Sequence, residues 1–192
     1  MNDSTRPGYL RPANLVADPL EGITLFGVFQ ALVAGLTGID GTLVRPRWQA
    51  VPANRPDITT DWVAVGVTTQ RSLGYAYETH VPDTGLGNDL VAREEQLDVL
   101  CSCYGPNAGR TAALIRDGLN LGQNRDELST QGVGVVHIDD AKIVPDLVNA
   151  QWYFRVDLPL VATRAVVRVY PVRTIASFTG QVSDGDNSVT TP

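Results

Sequence analysis

Residues 93–121, REEQLDVLCSCYGPNAGRTAALIRDGLNL, change hydrophobic period halfway along, and this constrains the fold more than any other feature. Leu97, Val99, Cys101 and Cys103 alternate with Gln96, Asp98 and Ser102, the two-residue period of a half-buried strand. Gly105-Pro106-Asn107 interrupts the strand: Pro106 suits a first helical turn, and Gly105 lets the chain swing round. From Ala108 the spacing becomes helical, with Ala108, Ala112, Ile115 and Leu119 in one stripe that Leu114 and Leu121 widen. So small a stripe predicts a helix lying close to the sheet that the strand joins. Gly105 to Thr111 superficially resembles a phosphate loop. The spacing is one residue short, Pro106 has no N–H, and Arg110 stands where Lys is needed, so the stretch reads as a turn.

The remaining elements can be read in order. Residues 1–21, with Pro7, Pro12 and Pro19, read as an extended arm. A helix is expected from Gly22 to Leu36, with Thr24 as N-cap and Leu25, Val28, Phe29, Leu32, Val33 and Leu36 on its apolar side. It has no ionisable residue, so most of its circumference calls for contact. Thr42–Gln49 is a short strand that Pro46 confines to an edge. After the loop 50–60 comes a strand at Asp61–Arg71, then a strand or hairpin arm at Tyr75–His80, a turn over 82–88, and the strand already described. Residues 125–131 read as a polar turn and Gly132–Ile138 as a strand. Asp139–Asp146 reads as a link with a brief helical turn. In the long run 150–180, Trp152, Phe154, Val156, Leu158 and Leu160 alternate, and a change of parity across Pro159–Thr163 predicts a bulge that turns Arg164 to the other face. Residues 181–192 have the composition of a flexible tail.

The expected fold is α+β: a mixed, largely antiparallel sheet with two main helices on one face, plus extended arms. One domain spans 22–180, flanked by the arm 1–21 and the tail 181–192.

A net charge of −6 argues against binding nucleic acid by counterion release. Hydrophobic content of 43% supports a core, and charged content of 19% leaves surface that a neighbouring subunit could cover. No segment is apolar enough to span a membrane, and the first residues lack the apolar stretch of a secretory signal. Cys101 and Cys103 read as reduced, buried residues of a core strand. The carboxylate pairs Glu94-Glu95, Asp126-Glu127 and Asp139-Asp140 are adjacent in sequence, so on a strand each pair would point to opposite faces rather than converge on a substrate. His137 with Asp139 and Asp140 is the one group that could start a metal site, and a solvated turn is the simpler reading. No catalytic residue, metal or cofactor is expected. Large amphipathic rings on projecting strands often anchor interfaces. Trp48, Trp62, Tyr75 and Tyr77, together with Arg164 and Arg168, are therefore the candidate subunit-interface residues.

The order of motifs resembles the neck and tail terminator proteins of tailed bacteriophages. An apolar N-terminal helix is followed by Arg47-Trp48-Gln49 leading to Asn54-Arg55-Pro56, then by a D-W-V-A-V-x-V-T strand at Asp61–Thr68. Glu95–Ala108 matches an E-x-x-x-V-x-x-x-x-Y-G-P-x-A segment that opens a helix. Trp152–Leu158 matches W-x-x-R-x-D-L, and Thr174–Ser177 a closing I-A-S pattern. The resemblance covers most of 20–180. It implies a structural protein of the virion neck, made in the host cytoplasm: a homo-hexameric ring that ends the tail tube and joins it to the head. Its partners would be copies of itself, the tail-tube protein, a head-completion or adaptor protein and, where one exists, the tail sheath. Genomic DNA would pass through without sequence-specific binding, and no membrane would be involved. The other readings are a different head–tail connector or adaptor ring, and a small metal-dependent hydrolase using His137, Asp139 and Asp140.

Overall fold

The computed structural model describes residues 7–13, 20–49, 54–83, 85–148 and 150–175, and the backbone of 180–183 and 188–191. Residues 1–6 and 14–19 of the expected arm, 50–53 of the loop, Ala176 and Ser177 of the closing pattern, and 184–187 and 192 of the tail lie outside the described residues. Contacts gather the chain into two compact units. One comprises Met1–Pro19, Ala76–Arg93 and Val167–Pro192, the other Leu20–Tyr75 and Glu94–Val166.

The larger unit holds the helices. Helix α1 (Gly22–Thr37) starts at Glu21 rather than at Thr24. Thr24 sits one turn in, where its hydroxyl donates to the Glu21 carbonyl at 2.7 Å and accepts the Glu21 amide at 3.0 Å. It therefore closes the first turn from inside, the reciprocal arrangement of a capping box. Gly38, in the left-handed region at φ 73°, ends the helix and donates to the Ala34 carbonyl. Leu25, Val28, Phe29 and Val33 face the sheet.

A single 3-10 turn, Gly41–Leu43, leads to β1 (Val44–Pro46), a three-residue edge strand that runs parallel to β2 (Trp62–Ser72). Pro46, which has no amide to donate, is tolerated at this edge. Strand β2 pairs antiparallel with the second half of β4 (Gly87–Tyr104), Trp62 opposite Tyr104 and Val65 opposite Cys101, with a bulge between Val67 and Thr69. Val63, Val65, Leu97, Val99, Cys101 and Cys103 form the floor under the helices. Both thiols are free and buried, and burial pushes Cys101 up to about 12.

The turn after β4 is held by Asp61. Gly105 has φ 106°, and a Cβ there would fall 2.5 Å from Asp61 Oδ1 and 2.6 Å from the Thr60 carbonyl. Asp61 accepts the amide and the side-chain Nδ2 of Asn107, both at 2.8 Å, so it satisfies the start of α2 (Ala108–Gly118) from another element. Ala108, Ala112 and Ile115 bury, as the stripe predicts. At Gly118 a Cβ would lie 2.8 Å from Leu36, so α2 approaches α1 where it has no side chain.

Two sequence expectations for the region after α2 are corrected here. Residues 125–130 belong to a third helix, α3 (Gly122–Thr130), instead of a turn, with Gln131 as its C-cap. It buries only Leu128, so it carries no apolar stripe to read. It is tied to the end of α2 by Asn124 donating to the Gly118 carbonyl at 2.8 Å and by Arg125 to that of Leu119 at 2.6 Å. The link Asp139–Asp146 has no helical turn and instead contributes β6 (Lys142–Ile143). Before it, β5 (Val133–Ile138) pairs antiparallel with β9 (Arg155–Val172), and β6 adds to the same side of β9. Strands β7 (Asp146–Val148) and β8 (Gln151–Tyr153) form a separate hairpin.

A third correction concerns β9, which keeps one parity. Val156, Leu158, Leu160, Ala162, Arg164 and Val166 are all buried in strict alternation. The bulge lies on its partner β5, between Val135 and His137. Arg164 thus stays on the inner face, and its charge, which made the parity seem to change, is met there by Glu95.

In the smaller unit β3 (Tyr77–Pro82) and the first half of β4 form an antiparallel hairpin, Tyr77 opposite Ala92. The Ala13 amide donates to the Val169 carbonyl at 2.8 Å. Within the expected tail, β10 (Gly180–Ser183) and β11 (Ser188–Thr191) pair antiparallel. The main sheet has the order β1-β2-β4-β9-β5, with β3 on β4 and β6 on β9. Among the described residues, three α-helices and a mixed, mostly antiparallel seven-stranded sheet make an α+β fold.

Candidate functional site

The helices of the larger unit cover one face of its sheet, and the other face carries a cluster of aromatic rings and guanidinium groups. Alternation on β2 turns Trp62 and Ala64 away from Val63 and Val65, and on β4 turns Ser102 and Tyr104 away from Cys101 and Cys103. Because Trp62 lies opposite Tyr104 in the ladder, the two rings stack, 4.2 Å between centroids and 5° from parallel. Arg55 lies over this pair and over Tyr153, 5.3 Å from the Tyr104 ring and 4.9 Å from that of Tyr153. Arg45 approaches the Trp62 ring to 5.9 Å and Arg155 the Tyr104 ring to 5.7 Å.

Two carboxylates partly neutralise this group. Arg55 pairs with Asp146 at 3.2 Å, and Arg155 grips Asp157 through two bonds of 2.8 and 2.7 Å. Burial raises the Asp157 carboxyl, but the bonds from Arg155 and Ser102 outweigh it and hold the group below the usual carboxylate range. Burial likewise pushes the Tyr104 phenol up. The Trp62 indole Nε1 is buried with no hydrogen-bond partner among the described residues. Among the described residues the cluster holds rings, guanidinium groups and carboxylates but no nucleophile–base pair.

At the edge of the same sheet an apolar groove of about 830 Å³ runs between the start of α1 and β2, lined by Ile23, Phe26, Pro46, Trp48, Val67 and Thr69 among others. Trp48 is 87% exposed and Ile23 84%. Trp48 and Ile23 thus form an exposed apolar patch at the groove.

Of the six candidate interface residues, Trp48 and Tyr75 stand out in solvent in the larger unit, and Tyr77 is exposed on β3 in the smaller. Arg168 on β9 is partly buried. Trp62, 7% exposed, and Arg164, 6%, are instead engaged within the protomer, one in the ring stack and the other in an ion pair with Glu95. Sequence reasoning missed Arg55, Tyr104 and Arg155. The i, i+2 spacing of Arg155 and Asp157 on a strand was the one available signal, since it puts both on one face; the rest depends on ladder register.

His137 Nε2 and Asp139 are 2.7 Å apart and exposed, and among the described residues no three metal-ligating side chains gather. In the smaller unit His80 bridges Asp89 at 2.7 Å and the Thr174 hydroxyl at 3.1 Å on an exposed hairpin. Among the described residues no helix is long and apolar enough to cross a membrane.

The family model described as phage neck terminator protein matches residues 24–186. No curated protein matches the chain.

Proposed function

We propose that this chain, which belongs to the phage neck terminator family and is therefore a structural component of the virion rather than an enzyme, works as a ring at the top of the tail. The ring ends the tail tube and presents a docking surface to the head-completion proteins, with DNA passing through its lumen. The family match over 24–186 carries the reading, and the surface chemistry agrees with it. An exposed Trp48 beside an apolar groove and a helix-free sheet face rich in arginine and aromatic residues are the materials of protein–protein contact. The net charge of −6 suits a conduit that must not hold DNA.

The stoichiometry expected from the family resemblance is six. The partners are other copies, the tail-tube protein and a head-side adaptor. Adding the purified chain to polymerising tail-tube protein tests this: tubes should stop growing and carry a cap at one end in negative stain. Tubes that grow unchanged and bare would overturn it.

A further inference from the structure

Among the described residues, two open stretches of strand lie at opposite edges of the larger unit's sheet. Strand β1 covers β2 only as far as Val65, whose carbonyl accepts the Arg47 amide at 2.9 Å. Beyond it, from Gly66 to Ser72, one side of β2 has no strand partner among the described residues. This open stretch is one wall of the apolar groove, with Trp48 and the first turn of α1 as the others. The approach is close at Gly66, where a Cβ would sit 3.0 Å from that of Arg47. At the far edge β5, Val133–Ile138, pairs only with β9 among the described residues. An unpaired edge of this length is a template for another strand.

Direction and charge choose the partner. Strand β2 runs antiparallel to β4, and β9 to β5. Strand β4 is antiparallel to β9 as well, since Gly105 bonds Phe154 at one end while Glu95 meets Arg164 further along. Three reversals make β5 run opposite to β2. A second copy in the same orientation therefore brings its β5 antiparallel against the open β2 edge, with helices on the same face. The end of β5, followed by Asp139 and Asp140, then falls beside Arg45 and Arg47. Arg47 donates to the Ser102 hydroxyl at 2.7 Å and acts on Asp157 through its field, and Arg45 donates to the Asn54 carbonyl at 2.7 Å. Neither lies within ion-pair distance of a carboxylate among the described residues, and Asp140 is exposed. Placing Ile138 opposite Gly66 also sets the extra residues of the two bulges, Val136 and Thr68, across from each other, so both strands bend at one place.

We propose that the subunit contact is this edge-to-edge pairing, in which the open β2 edge and Trp48 groove of one copy receive β5 and the Asp139–Asp140 turn of the next. The contact is heterologous, the kind that closes into a ring when each copy is turned by a fixed fraction of a circle relative to the last. It rests on the ring reading and names the surfaces that make it.

The test compares the mass of wild-type chain, Arg47→Glu, Asp140→Arg and an equimolar mixture of the two variants at micromolar concentration, with thermal unfolding as the check on folding. Wild type should assemble. Each variant alone should assemble roughly tenfold more weakly or worse, and the mixture should recover, because each variant supplies the charge the other needs. Full assembly of either variant alone, or a mixture that stays apart, overturns the contact and leaves the ring reading standing. A wild-type chain that never associates overturns both. Should a charge variant not fold, Thr68→Cys with Val136→Cys decides: oxidation should link the double variant into a ladder of multimers and neither single variant beyond a dimer. A double variant that stays unlinked while wild type assembles overturns the contact.

Discussion

Glu95 and Arg164 form a two-bond ion pair, 2.9 and 3.0 Å, sealed from solvent between β4 and β9. Gln70 adds a third bond to the same carboxylate at 2.6 Å, and Arg164 also donates to the Leu20 carbonyl. Three donors thus converge on Oε2 of the buried carboxylate, the kind of added hydrogen bonding under which a buried charge is tolerated.

Removing one partner should leave the other charge stranded. Arg164→Leu and Glu95→Leu are each expected to destabilise the protein by about 3–5 kcal/mol. The double variant should lose far less than their sum, because no unpaired charge remains. Urea unfolding of all three measures this, and additive losses would contradict it.

Gly105→Ala should lower stability by on the order of 2 kcal/mol or more, since the backbone there is left-handed and the new methyl would meet the Thr60 carbonyl and the Asp61 carboxylate. Asp61→Ala should cost about 1 kcal/mol, the usual size of a lost helix cap. If Gly105→Ala were the milder of the two, the account of this turn would fail.

Much of this turn was legible in the sequence. A change from period two to period 3.6, with Gly-Pro-Asn between, identifies strand, turn and helix without any tertiary information, and Pro46 likewise announces an edge. Asp61 was not legible as the cap, because it sits 46 residues away and is brought there by ladder register. Helix α3 stayed hidden because it buries Leu128 alone. Arg164 was misread because a charge on an inward position imitates a change of face, and only Glu95 on the neighbouring strand shows that it does not. The candidate site was readable where a ring stands out in solvent, as at Trp48, and not where Trp62 finds Tyr104 across the sheet.

Acid should weaken the larger unit through Asp157. Its folded carboxyl titrates below its ordinary value, so its bonds to Arg155 stabilise the protein fully above about pH 4 and are lost as pH falls through the folded value. Wild type should therefore lose stability between neutral pH and pH 3 more steeply than Asp157→Asn does. Parallel acid limbs in urea midpoints would exclude a role for this pair.

The central claim is that the chain buries its exposed apolar edge against copies of itself. Sedimentation of the purified protein across micromolar concentrations, beside Trp48→Ala, tests it most directly. Wild type should sediment as a closed oligomer of fixed size. Trp48→Ala should fall toward the monomer while still unfolding cooperatively, as expected for an exposed side chain whose loss leaves the protomer's core intact. A wild-type chain that remains a monomer throughout, or a Trp48→Ala variant that assembles as well as wild type, would contradict the claim.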